Sequence, residues 1–121
     1  MLPVLNPGRY VFVTLASDQS LDLRYIIASV REPDGLSVIL TEQDATELGL
    51  SANYVAAWIS LTVQSDLAAV GFTAGFSNAL GQAGISCNVV AGNHHDHLFV
   101  PHDQAELAMR ILLDLQSKAA V

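Results

Sequence analysis

The stretch VAAWISLTVQ (residues 55–64) decides how the chain is read. Ala57, Ile59, Leu61 and Val63 alternate with Trp58, Ser60 and Thr62, the period of a strand with one apolar and one mixed face. Ser65 then stands where a helix N-cap belongs, and Ala69, Phe72, Phe76, Ala79, Leu80 and Ala83 recur at helical spacing across residues 66–83, with Gly84 as the stop. ISCNVVA (85–91) is the next strand, the polar run GNHHD (92–96) its turn, and HLFV (97–100) the strand that returns. Asp103 and Glu106 have capping-box spacing before a last helix carrying Ala105, Ala108, Met109, Leu112 and Leu115. This part of the chain reads β-α-β-β-α.

Working outward to the N-terminus, RYVFVTL (9–15) is β-branched and aromatic, and the residues before it, with Pro3, Asn6, Pro7 and Gly8, read as an irregular lead-in. RYIIASVRE (24–32) and LSVIL (36–40) form a hairpin about the turn PDG (33–35). Thr41 with Asp44 caps a short helix that ends at Gly49. The order β-β-β-α here and β-α-β-β-α beyond predicts an α+β chain, an antiparallel sheet with helices on one face, in halves 1–53 and 54–121.

Composition excludes several functions. The twelve acidic and five basic residues leave a net charge of -7, and Arg9, Arg24, Arg31, Arg110 and Lys118 are too scattered to hold a polyanion, so nucleic acid is not expected. No apolar run reaches membrane-spanning length, and the start MLPVLNPG lacks the form of a signal peptide. The lone Cys87 fits a reducing compartment, so a cytoplasmic location is expected. With 51% hydrophobic and 14% charged residues, part of the apolar surface is expected in a homodimer interface, to which Tyr54 and Trp58 can add.

The run VGFTAGFSNALGQAGISCNVV (70–90), continuing through DHLFVP (96–101), resembles an ACT domain, most of all those of aspartate kinases and of small proteins with paired ACT-like halves. The resemblance implies a ferredoxin-like βαββαβ fold and a regulatory role, with a small effector, commonly an amino acid, held between the loop after the first strand and a neighbouring strand, often across a dimer interface. It places Val70, Gly71 and Phe72 at the family's Pro-Gly-Val/Ala loop, where Gly71 matches the glycine and Val70 departs from the proline. Ser86 falls where aspartate kinases often carry the Asn of a Gly-Ile-Asn-Ile pattern. One strand is missing after the last helix, and residues 10–15 are expected to fill its place.

Elementary chemistry points to the same loop. A helix beginning at Ser65 or Asp66 offers unpaired N–H groups to a carboxylate, and Gly71 lets backbone approach closely. Ser86 and Asn88 share one strand face and can hold an ammonium group. Tight helix packing is the competing reason for glycine here.

All four histidines lie between His94 and His102. His95 and His97 share strand parity and can chelate one ion if the strand reaches back to His95; His102, His94, Asp96 and Cys87 are the only local candidates for further ligands. A hydrated turn explains the same residues without a metal. Asp96 shares parity with Leu98 and Val100, which suggests a structural pair with His97 or His102, while Cys87 lies between Ile85 and Val89 as a core thiol. No GxSxG elbow, Walker loop, HExxH or CxxC supports catalysis, and no cofactor is implied. The chain is therefore read as a regulatory protein binding a small-molecule effector, possibly an amino acid, and signalling to a separate protein partner. A metal-binding protein or enzyme built on His95, His97 and His102 is the alternative, and a purely structural subunit is a third.

Overall fold

The structure, a computed structural model, describes residues 2–62 and 72–119. Contacts divide the chain into two compact units: Gly8–Ala56, and the residues from Ala57 onward together with those up to Pro7.

In the Gly8–Ala56 unit the hairpin of β2 (Ala28–Glu32) and β3 (Gly35–Thr41) pairs through β3 with the later part of β1 (Pro3–Leu15). The antiparallel register runs from Tyr10↔Thr41 to Leu15↔Leu36, so Val11, Val13 and Leu15 share a buried face with Val38 and Leu40. The short helix α1 (Glu42–Glu47) closes that face with Ala45. Its start is as expected: the Thr41 hydroxyl accepts from the Asp44 N–H at 3.1 Å. At its end Gly49, at φ 71°, lets its own N–H reach the Thr46 carbonyl and the Leu50 N–H reach that of Ala45, which satisfies two carbonyls a helix end otherwise leaves open.

The other unit contains β4 (Val55–Leu61) from Ala57 on, α2 (Phe72–Gln82), β5 (Asn88–Ala91), β6 (Asp96–Pro101) and α3 (Ala105–Ala119). The first residues of β1 lie beside β4, β4 beside β6, and β6 beside β5. Ala57, Ile59 and Leu61 of β4 with Leu98 and Val100 of β6 form one apolar sheet face. Phe76 and Leu80 of α2, with Ala105, Ala108 and Leu112 of α3, pack onto it, so both helices cover the same side. Phe76, Leu80, Leu98 and Leu112 are at most 1% exposed, which makes this face the core.

Five expectations are corrected. β1 begins at Pro3, so the lead-in is strand: Leu2 accepts at its carbonyl from the Thr62 N–H (2.9 Å), and the Asn6 amide donates to the Trp58 carbonyl (3.2 Å). Residues 3–7 thus take the place beside β4, whereas Tyr10 to Leu15 pair with β3. Residues 24–27 are not strand, because Asp22 accepts from the Arg24 N–H and draws Leu23–Tyr25 into a 3-10 turn. β5 starts at Asn88 rather than at 85, because the N–H of Ile85 closes α2 on the Leu80 carbonyl while Gly84 stands at φ 75°. Asp103 lies in a 3-10 turn (His102–Gln104) leading into α3, with no side-chain cap bond at the start of that turn.

Candidate functional site

On the sheet face turned away from α2 and α3, β4 presents Trp58 and Ser60, the expected mixed face of its alternation. β6 presents His97 and Phe99 on the same side, and the start of β1 presents Asn6. The Trp58 indole Nε1–H donates to His97 Nδ1 at 3.0 Å, and the Ser60 Oγ lies 2.9 Å from that nitrogen. Asn6 Nδ2 donates to the Ser60 Oγ at 3.0 Å. The Trp58 ring is stacked on Phe99 with centroids 6.0 Å apart and planes inclined by 18°, and Phe99 is 1% exposed.

Because an indole N–H only donates, His97 Nδ1 must offer a lone pair, and the neutral ring carries its proton on Nε2. Burial and the nearby His95 hold His97 below the ordinary imidazole range, with Asp96 acting in the opposite direction. Gly92, in the turn before β6, leaves room for this ring: a Cβ there would stand 3.4 Å from His97 Nε2 and 2.9 Å from the His95 carbonyl oxygen.

Of the residues expected to hold an effector, Ser65, Asp66, Val70 and Gly71 lie outside the described residues, and Phe72 belongs to α2. Ser86 is exposed and precedes β5 instead of sharing its face with Asn88. Asn88 opens β5, is exposed, and pairs across to Phe99, with a long 3.4 Å contact from its amide to the Phe99 carbonyl. The end of β4 approaches β6 nearer its beginning, where Ser60 meets His97.

The histidines do not gather. His94 and His95 are exposed turn residues, and His102 lies five residues beyond His97, about 15 Å along an extended strand. That separation is too long for one ion to bridge, and among the described residues no three His, Cys, Asp or Glu groups come together as a metal site. Asp96 is buried at 6% exposure on the helix side of β6, in line with its parity. Cys87 is a half-buried thiol packed against the core; burial raises its pKa, and a hydrogen bond with Ser77 partly offsets this.

A surface cavity of about 540 Å³ in the Gly8–Ala56 unit is lined by Arg9, Thr41, Glu42, Gln43, Thr46 and Glu47 together with Gly8. Its polar groups answer one another: Arg9 Nε meets Glu42 Oε1 at 2.8 Å, and Gln43 Nε2 donates to Glu47 Oε1 at 3.4 Å. Neither this cavity nor the Trp58–His97 bond has a local signal in the sequence. The bond joins residues 39 positions apart, and only the mixed face of β4 hints at it.

Comparison with known proteins matches the two halves of the sequence separately. Family models described as ACT domain match residues 1–57 and residues 54–114. Among solved structures, a protein of unknown function from Vibrio cholerae, described as a possible transport protein, is 40% identical with a TM-score of 0.84, over 94% of this chain and 88% of its own. The ligand-free regulatory subunit of aspartate kinase from Thermus thermophilus has a TM-score of 0.67 at 13% identity, over 93% of this chain and 95% of its own. Aspartokinase III of E. coli, in complex with aspartate and ADP, has a TM-score of 0.66 at 13% identity, over 93% of this chain and 32% of its own. No curated protein matches the chain.

Proposed function

This chain belongs to the ACT domain family, and from that premise we propose that it is a regulatory protein that binds a small-molecule effector, an amino acid, and has no catalytic activity of its own. The observation that carries this reading is the pair of family matches, one on each half of the chain. We accordingly read 1–53 and 54–121 as two ACT-like halves. The aspartokinase that shares the fold was solved with aspartate, which makes amino acids the first ligands to test.

The proposed effector contacts are Ser65, Asp66, Val70, Gly71 and Phe72, in the passage from β4 into α2, with Ser86 and Asn88 at the entry to β5. Asn88 stands beside Phe99, further along β6 than the point where β4 ends, which favours a site shared between two copies of the chain, hence a homodimer. No described helix is long and apolar enough to cross a membrane. With one cysteine and no catalytic motif, the proposal is of a cytoplasmic sensor that passes its signal to a separate protein.

The experiment is a thermal-shift screen of untagged protein against the twenty amino acids. A ligand at one hundred times its Kd adds about 2.7 kcal/mol to the folded state, a shift readily seen in a domain of this size. A rise with one amino acid supports the sensor and names its effector. Silence with all twenty removes the amino-acid reading.

A further inference from the structure

We propose that Asn6, Trp58, Ser60 and His97 form an acid-released latch, in which uptake of a proton by His97 hands its ring from Trp58 to Ser60 and frees the indole. At neutral pH the Trp58 N–H occupies His97 Nδ1 at 3.0 Å. Nε2 already carries the ring's proton, so the incoming proton must settle on Nδ1, the atom that accepts from the indole. Two N–H groups cannot share one line, so protonation and the Trp58 bond exclude each other. Ser60 differs from Trp58 in this respect. Its oxygen, 2.9 Å from Nδ1, has two lone pairs; one takes the Asn6 amide at 3.0 Å and the second can accept the new Nδ1–H once the hydroxyl turns.

The consequence follows from the stacking. Trp58 lies over Phe99, so an indole released from His97 loses one of the bonds that hold it there. Opening changes how an aromatic patch on this sheet face meets solvent. The groups that face His97 set when this happens. Within its own strand and turn, His95 disfavours the charged ring and Asp96 favours it. The described partners on the adjoining strands are uncharged: Trp58 and Ser60 on β4, and Val90 across on β5. Asn6 of β1, which reaches Ser60, is uncharged too. Burial adds to the effect of His95, so the latch is closed at pH 7.5 and opens below the ordinary imidazole value of 6.5.

Trp58 is the sole tryptophan, so its emission reports the latch directly. Emission is recorded from pH 8 to pH 4.5 for the wild type, His97→Gln and His95→Ala, with far-UV circular dichroism at each point. The expected result is a wild-type transition with its midpoint below 6.5 and unchanged circular dichroism, absent in His97→Gln and moved upward in His95→Ala. An unaltered transition in His97→Gln, or emission that stays flat through that range, overturns the proposal. A second measurement needs no variant: the ring nitrogen shifts of His97 at pH 7.5 must show the proton on Nε2, and a proton on Nδ1 overturns it as well.

Discussion

Trp58 and His97, 39 residues apart in the chain, are joined by an indole N–H that donates to an imidazole Nδ1 at 3.0 Å, across the two strands β4 and β6. The bond fixes a tautomer, and through it a dependence on pH. His97 is held below its ordinary pKa, so the folded state favours the neutral ring more than the unfolded chain does. That contribution is fully present above the unfolded value of 6.5 and is lost as pH falls through the lower folded value. Urea midpoints of the wild type are therefore expected to drop between pH 7.5 and pH 5 more than those of His97→Gln. Equal drops in both proteins would remove His97 from the account.

Gly35 closes the β2–β3 hairpin at φ 147°, and a Cβ built there would run into the carbonyl oxygen of Leu15. Backbone of a paired strand cannot give way as a flexible side chain does. Gly35→Ala is expected to cost about 3 kcal/mol, measured by urea denaturation. A loss under about 0.5 kcal/mol would show that β1 moves aside freely.

Thr41 caps a helix of only six residues, which has little internal hydrogen bonding to spare. Thr41→Ala is expected to cost about 1 kcal/mol, and Thr41→Ser to restore most of it. Serine keeps the oxygen that accepts from Asp44, so failure of this rescue would assign the effect to the lost methyl group.

Leu80 of α2 is fully buried against the sheet and also receives, at its carbonyl, the N–H of Ile85 that ends the helix. Leu80→Ala leaves that backbone bond possible and removes core volume, for an expected loss of about 2 to 5 kcal/mol by chemical denaturation.

The proposed effector loop has its own test. Gly71→Val should abolish the thermal shift given by whichever amino acid stabilises the wild type, with the circular dichroism of the fold retained. An unchanged shift would place the ligand elsewhere.

What could be read in advance depended on whether a feature was local. The alternation across Val55–Leu61, the Thr41 cap and the glycines that end α1 and α2 are each written within a few neighbouring positions, and each is found. Residues 3–7 read as an irregular lead-in because they hold two prolines and are followed by Gly8; what makes them strand is β4, more than 50 positions away. Ile85 misled for a different reason. An apolar residue after a helix-ending glycine suits a strand, yet its N–H is already spent on the Leu80 carbonyl. The partnership of Trp58 with His97 was beyond reach, because strand pairing between β4 and β6 must be known before any side chain on one can be matched to the other.

The opening residues of β1 also bear on how the molecule is made. Asn6 leaves the ribosome long before Trp58 and Ser60, the residues whose carbonyl and hydroxyl its amide will hold 52 and 54 positions later. The Gly8–Ala56 unit is synthesised entirely in that interval, so it can fold while the first residues are still waiting for a partner. The unit that holds Trp58 and Ser60 is thus completed by residues made well before it, and its closure waits until β4 has been made.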